Sequence, residues 1–304
     1  MDFKQKFEPR GNRIIHGAGQ SPEQFEKYWK SVENYKPLMY MVYNKIDNIK
    51  EKFPRKINAM LNISKNLIPQ IGLNLVSRTK GQQCMEVAKG DHNEEILFLI
   101  KSLKELKTPV FLRIGYEFNE QDKYEPKEFI LAWKHIVDLF RNNNVTNVVF
   151  VWNACTAFNR DIKEIMEFYP GDRYVDWFGN NLFGIRHFKD NKDKVTEDFI
   201  KEAIKHKKPV MIGESTAART GVESGEKSWK EWFEPFFKWV KEHEVVKAFC
   251  YINWDWAIDW KQPEWGNCRI EENEEVSKRY IKELKKSKYI HNLPMNKFLK
   301  IVYN

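Results

Sequence analysis

Two hydrophobic rhythms alternate along this chain. Short, nearly continuous apolar runs are separated by longer stretches in which apolar residues recur every three or four positions. The short runs are RIIHGAG (13–19), PLMYMVYN (37–44), IPQIGLNLV (68–76), PVFLRIGYE (109–117), NVVFVWNAC (147–155), VDWFGNNLF (175–183), PVMIGESTA (209–217) and VKAFCYINW (246–254). Runs of this length and character predict strands buried on both faces. Among the longer stretches, SPEQFEKYWKSVENY opens with a Ser cap, a Pro and an early Glu, which marks a helix start. HNEEILFLIKSLKEL places Ile96, Leu97, Ile100, Leu103 and Leu106 at helical spacing. EPKEFILAWKHIVDLFRNN does the same with Phe129, Trp133, Ile136, Val137 and Phe140. TEDFIKEAIKHK, SWKEWFEPFFKWVKEH and NEEVSKRYIKELKK follow the later strands.

Strand–helix alternation implies a parallel sheet with helices outside it. Eight such units in 304 residues predict an α/β fold, a closed (β/α)8 TIM barrel. No Pro/Gly/Ser linker or internal repeat divides the chain. A single domain is therefore expected over 1–304, with the barrel at about 13–290 and a C-terminal tail at about 291–304. A doubly wound open sheet is the structural rival. Its phosphate turn is missing, because the first strand ends in HGAGQ without the full Gly-rich pattern.

Composition narrows the picture. The formal net charge is +8, but the Lys residues are scattered and mostly interleaved with Glu on helical stretches, as in KELKKSKY. They read as solvated faces rather than a nucleic-acid surface, and no basic-aromatic motif is present. No 18-residue apolar run is found, so no membrane span is expected. MDFKQKFEPRGNR lacks the apolar core of a signal peptide, which leaves localisation open between the cytoplasm and secretion with the signal removed. The four cysteines form no C-x-x-C pair and are expected as reduced thiols. A monomer is expected. The eleven Trp are more than a core of this size calls for, and Trp stacks on flat apolar ligand faces.

In a barrel the chemistry sits at the C-terminal ends of the strands. Two glutamates stand there, one or two positions after a Gly: Glu117 in RIGYE and Glu214 in MIGE. Alternation puts Arg113 on the same face as Glu117, beneath the carboxylates, where its charge would hold one of them ionised. Two facing carboxylates walled by Trp suggest glycoside hydrolysis, in which one protonates the leaving oxygen and the other attacks the anomeric carbon or activates water. Surface salt bridges are the bland alternative for each Glu. Of the seven His, only His16 and His187 fall near strand ends, so neither a metal nor another cofactor is expected. His16, Asn153 and Trp152 are further candidates for touching substrate. So are Trp254 and Trp256, and Asp255 is either a third site carboxylate or a loop cap.

These residues resemble glycoside hydrolase family 26, the β-mannanases and related endo-β-glycanases of the clan of retaining barrel enzymes. FLRIGYEFN resembles the family's acid/base strand, and WKHIVDLFRNNNVTNVVFVWN its next helix and strand. YPGDRYVDWFG and KPVMIGES resemble its sixth-strand approach and nucleophile strand; AFCYINWDW and WGNCRI resemble the eighth strand and its loop. The likeness covers roughly 100–275. It implies a retaining mechanism with Glu117 as acid/base and Glu214 as nucleophile, ~5–5.5 Å apart, and Trp152 with Trp254 or Trp256 as sugar platforms. Two positions depart from the family. Tyr116 stands where its mannanases usually carry His. Phe183 stands where the clan usually carries a Tyr that hydrogen-bonds the nucleophile, a role left to another Tyr or to Asn180 or Asn181. An oligo- or polysaccharide substrate is expected. A non-catalytic carbohydrate-binding barrel, or a hydrolase of an acidic or self-made exopolysaccharide, are the alternatives.

Overall fold

The computed structural model describes residues 1–77, 79–188 and 193–303. Its eight central strands are β1 (Ile14–Gly19), β2 (Met39–Lys45), β3 (Ile68–Asn74), β4 (Val110–Ile114), β5 (Val148–Ala154), β6 (Trp177–Leu182), β7 (Val210–Ser215) and β8 (Val246–Ile252). Each pairs in parallel with the next, and β8 closes onto β1 with Ile15 opposite Ala248 and Gly19 opposite Ile252. The protein is a closed (β/α)8 barrel. Every predicted strand is present, but β4 stops at Ile114, short of Glu117.

The outer helices are α1 (Pro22–Ser31), α2 (Ile49–Ile63), α3 (Asn93–Glu105), α4 (Pro126–Asn142), α5 (Lys194–Lys205), α6 (Glu234–Glu242), α7 (Glu274–Leu284) and α8 (Met295–Tyr303). Ser21 caps α1 by accepting from the Gln24 N–H, with Pro22 in the first turn. Pro126 starts α4, which buries the predicted apolar stripe from Phe129 to Phe140. On α3 the buried face is Ile96, Leu99, Ile100 and Leu103, while Leu97 is exposed. The helix α2 has no counterpart in the sequence reading, because Pro54 interrupts its pattern. Phe53, Ile57 and Met60 nevertheless form a helical stripe on the barrel.

The segment expected as a tail is packed onto the barrel. Just before it, Tyr289–Ile290 adds a parallel pair to β1, and within it α8 buries Phe298 and Val302. The four cysteines are free and buried. No helix among the described residues is long and apolar enough to cross a membrane.

Candidate active site

Glu117 reaches the barrel mouth through a turn rather than by extending β4. Gly115 and Glu117 both have positive φ, +54° and +52°. Gly adopts this conformation freely, whereas for Glu it costs about 1–2 kcal/mol. The turn is tied down where the Glu117 N–H donates to the Asn153 carbonyl of β5 at 2.8 Å. The Glu117 side chain is half-buried, and its Oε1 accepts from Asn181 Nδ2 at 2.9 Å.

Glu214 is aimed by a register shift. Between β6 and β7, Asn180 pairs with Ile212 but Asn181 pairs with Glu214, leaving Gly213 as the extra residue. Such a bulge turns the residue after it toward a new direction. Only Gly fits there, because a Cβ at 213 would lie 2.2 Å from Asn153 Oδ1 and 2.9 Å from Arg113 and Asn181. Glu214 then sits 6% exposed with its Oε1 accepting from Arg113 at 3.0 Å.

Arg113 is the hub. Fully buried, it donates one terminal nitrogen to Glu214 and the other to the Tyr43 hydroxyl at 2.8 Å. Its guanidinium lies 5.2 Å from the Tyr43 ring centre and 5.0 Å from that of Tyr116, within cation–π range. Asn153 donates to Asn181 Oδ1 at 3.0 Å, so an unbroken polar chain runs from Glu117 through Asn181 and Arg113 to Glu214.

The two carboxyls therefore have unequal surroundings. Burial first, and then the charge of Glu214, push the Glu117 carboxyl up to about 7 against the opposing pull of Lys123, Asn181 and Arg113. Glu214 has a direct guanidinium partner. Burial also holds the Tyr43 and Tyr116 phenols above their ordinary range.

Of the residues singled out from sequence, Glu117, Glu214, Arg113, Tyr116 and Asn153 come together here. His16 does not. It is fully buried in the layer between barrel and helices, linked to the Tyr28 hydroxyl at 2.6 Å and to His291 at 3.1 Å. Trp152 is likewise misplaced by the sequence reading. Consecutive strand residues face opposite ways, and because Asn153 faces in, Trp152 faces out. It is fully buried against Phe118, Phe178 and Phe199 and so offers no sugar platform. Asp255 serves as a loop cap, its Oδ1 accepting from the Ala257 N–H at 3.1 Å. Phe183 packs on Trp265 at 5.1 Å between ring centres. From there an aromatic rim continues through Trp256 and Trp254 to the exposed Trp260.

Two members of the site were not among the residues singled out from sequence. Tyr43 ends β2 with its hydroxyl on Arg113, and its signal was a polar residue in register with Met39 and Met41 on an apolar strand. Asn181, weighed only as a partner for the nucleophile, instead donates to Glu117.

Fold and site together define a closed (β/α)8 barrel with two unequal carboxyls at its mouth. More specifically, the chain belongs to glycosyl hydrolase family 26, whose family model matches residues 85–244 and so spans both glutamates. Among known proteins it is similar to a β-1,3-xylanase of Vibrio sp., 26% identical over 72% of this chain and 52% of the relative. It is also similar to a β-1,3-xylanase of Alcaligenes sp., 27% identical over 75% of this chain and 53% of the relative. The chain thus spans about half the length of the curated relatives it matches. The catalytic domain of a Bacillus sp. JAMB-750 endo-β-1,4-mannanase superposes with a TM-score of 0.68 at 14% identity, covering 95% of this chain and 89% of that one. A Bacteroides ovatus β-mannanase superposes with a TM-score of 0.65 at 14% identity, covering 92% and 88%. At such identities these structures speak for the fold alone.

Proposed function

We propose that this protein hydrolyses a β-linked polysaccharide with retention of anomeric configuration. The observation that carries the reading is the inequality of the two carboxyls: Glu117 is pushed up to about 7 and Glu214 is paired with Arg113. This is the division of labour that a general acid and a nucleophile require. Glu117 gives its proton to the glycosidic oxygen as Glu214 attacks the anomeric carbon. The bond to the leaving sugar breaks and a glycosyl ester to Glu214 forms. Glu117, now ionised, takes a proton from water, whose oxygen attacks the same carbon and releases Glu214. Asn181 holds the Glu117 carboxyl in place through its 2.9 Å hydrogen bond. Tyr43, through Arg113, steadies the nucleophile from below in place of the hydroxyl that Phe183 lacks. Trp254, which borders a cavity at the mouth, is the sugar contact on this side, whereas Trp256 is buried with its N–H on Thr216.

The xylanase relatives put β-1,3-xylan first in a substrate panel that also holds β-mannan, mixed-linkage β-glucan and curdlan. Reducing-sugar release by the wild-type chain is expected on at least one of these, with loss of release in Glu117→Gln and in Glu214→Gln. Binding to these glycans without release on any of them would instead make the protein a carbohydrate-binding barrel.

A further inference from the structure

A cavity of about 250 Å³ opens on the β1–β2 side of the mouth, bounded by Gln20, Tyr40, Tyr43, Lys56 and Trp254. It is smaller than the ~300–1,000 Å³ of drug-sized sites and of a size for one sugar residue. Tyr43, whose hydroxyl meets Arg113 in the catalytic cluster, also borders this cavity. Two features give it a chemistry of its own. Lys56, from α2, is the sole charged side chain among the described residues lining it; its ammonium donates to the Tyr43 carbonyl and keeps two further N–H groups. Lys52 and Arg55 on the same helix add positive charge beside it. The second feature is Trp254, a largely buried ring that borders the cavity.

We propose that this cavity is a subsite for a sugar bearing an anionic substituent, a uronate carboxylate or a sulfate ester. Lys56 binds the anion, and Trp254 packs its cavity-facing edge against the same sugar. The proposal rests on the glycosidase reading, of which it names the substrate class. A lysine without a carboxylate partner among the described residues, beside a half-enclosed cavity, favours an anion over a neutral hydroxyl, because a charge-assisted hydrogen bond is roughly twice as strong as a neutral one.

The test uses β-1,3-glucan and β-mannan oligosaccharides in three forms: neutral, oxidised at C6 to uronates, and sulfated. Binding is measured by calorimetry with the Glu117→Gln chain, and turnover separately with the wild type. At least one anionic form is expected to bind ~10-fold more tightly than the neutral one. The gap should close when Lys56→Gln is added, persist with Lys56→Arg, and shrink in high salt. Thermal melts of each variant show that the fold is kept. A gap with the oxidised form identifies a carboxylate, and a gap with the sulfated form alone identifies a sulfate ester. Equal binding of all three forms, no binding of any, or a preference that survives Lys56→Gln overturns the proposal. Lys56-dependent binding without turnover would sink the hydrolase reading and leave the subsite standing. Turnover without anion preference would do the reverse.

Discussion

Replacing Glu117 with Gln should make the protein more stable, and only above the pH at which an unfolded glutamate loses its proton. The folded-state carboxyl is pushed from an ordinary 4.5 up to about 7. Below pH 4.5 folded and unfolded chains both hold the proton, and nothing is lost. Between 4.5 and about 7 the unfolded chain releases it first, so wild-type stability falls as pH rises through this window. The interval, 7 − 4.5, is about 2.5 pH units. At about 1.4 kcal/mol per unit, the cost above neutral pH is on the order of 3 kcal/mol. Gln removes the charge near Glu214 and keeps an oxygen for Asn181. Urea unfolding of both proteins should show the variant ahead by up to ~3 kcal/mol at about pH 8, with the curves converging near pH 4. Equal stability at about pH 8, or a gap that does not change with pH, would refute the claim that Glu117 is held protonated by burial and by its neighbour.

Other perturbations bear on the support of the two carboxyls. Gly213→Ala places a Cβ 2.2 Å from Asn153 Oδ1, so it should cost ~1–3 kcal/mol in chemical denaturation and depress activity. Gly184→Ala, whose Cβ meets nothing nearer than 3.9 Å, is the matched control and should be close to neutral. Arg113→Met leaves Glu214 buried without its cation, and a loss of ~3–5 kcal/mol is expected in the same assay, together with loss of activity. Asn181→Ala removes a hydrogen bond that favours the ionised form of Glu117. The alkaline limb of kcat/KM against pH should therefore move upward, whereas an unmoved limb would remove Asn181 from the site.

The barrel was legible because strands covered on both faces are nearly continuous apolar runs, and all eight were. The helix α2 was not, because Pro54 hides a stripe that tertiary packing supplies through Phe53, Ile57 and Met60. Glu117, Glu214 and Arg113 were legible from their place after apolar runs and from simple alternation. What aims the two glutamates was not: positive φ at Gly115 and Glu117, and the extra residue Gly213 in β7, are backbone events that no side-chain pattern records. His16 and Trp152 were misread for a different reason. Each lies within an apolar strand and faces the helix layer, where a polar atom or a large ring is satisfied by buried neighbours. Strict use of alternation would have removed Trp152 once Asn153 was placed inward.

The central claim is that Glu214 attacks the sugar and Glu117 serves it as acid and then base. Proton NMR of the first products released from an active β-glycan tests this most directly. The β-anomer should appear first and mutarotate to the α-anomer, and neither should form with Glu117→Gln or Glu214→Gln. Initial release of the α-anomer, or undiminished release by both variants, would contradict it.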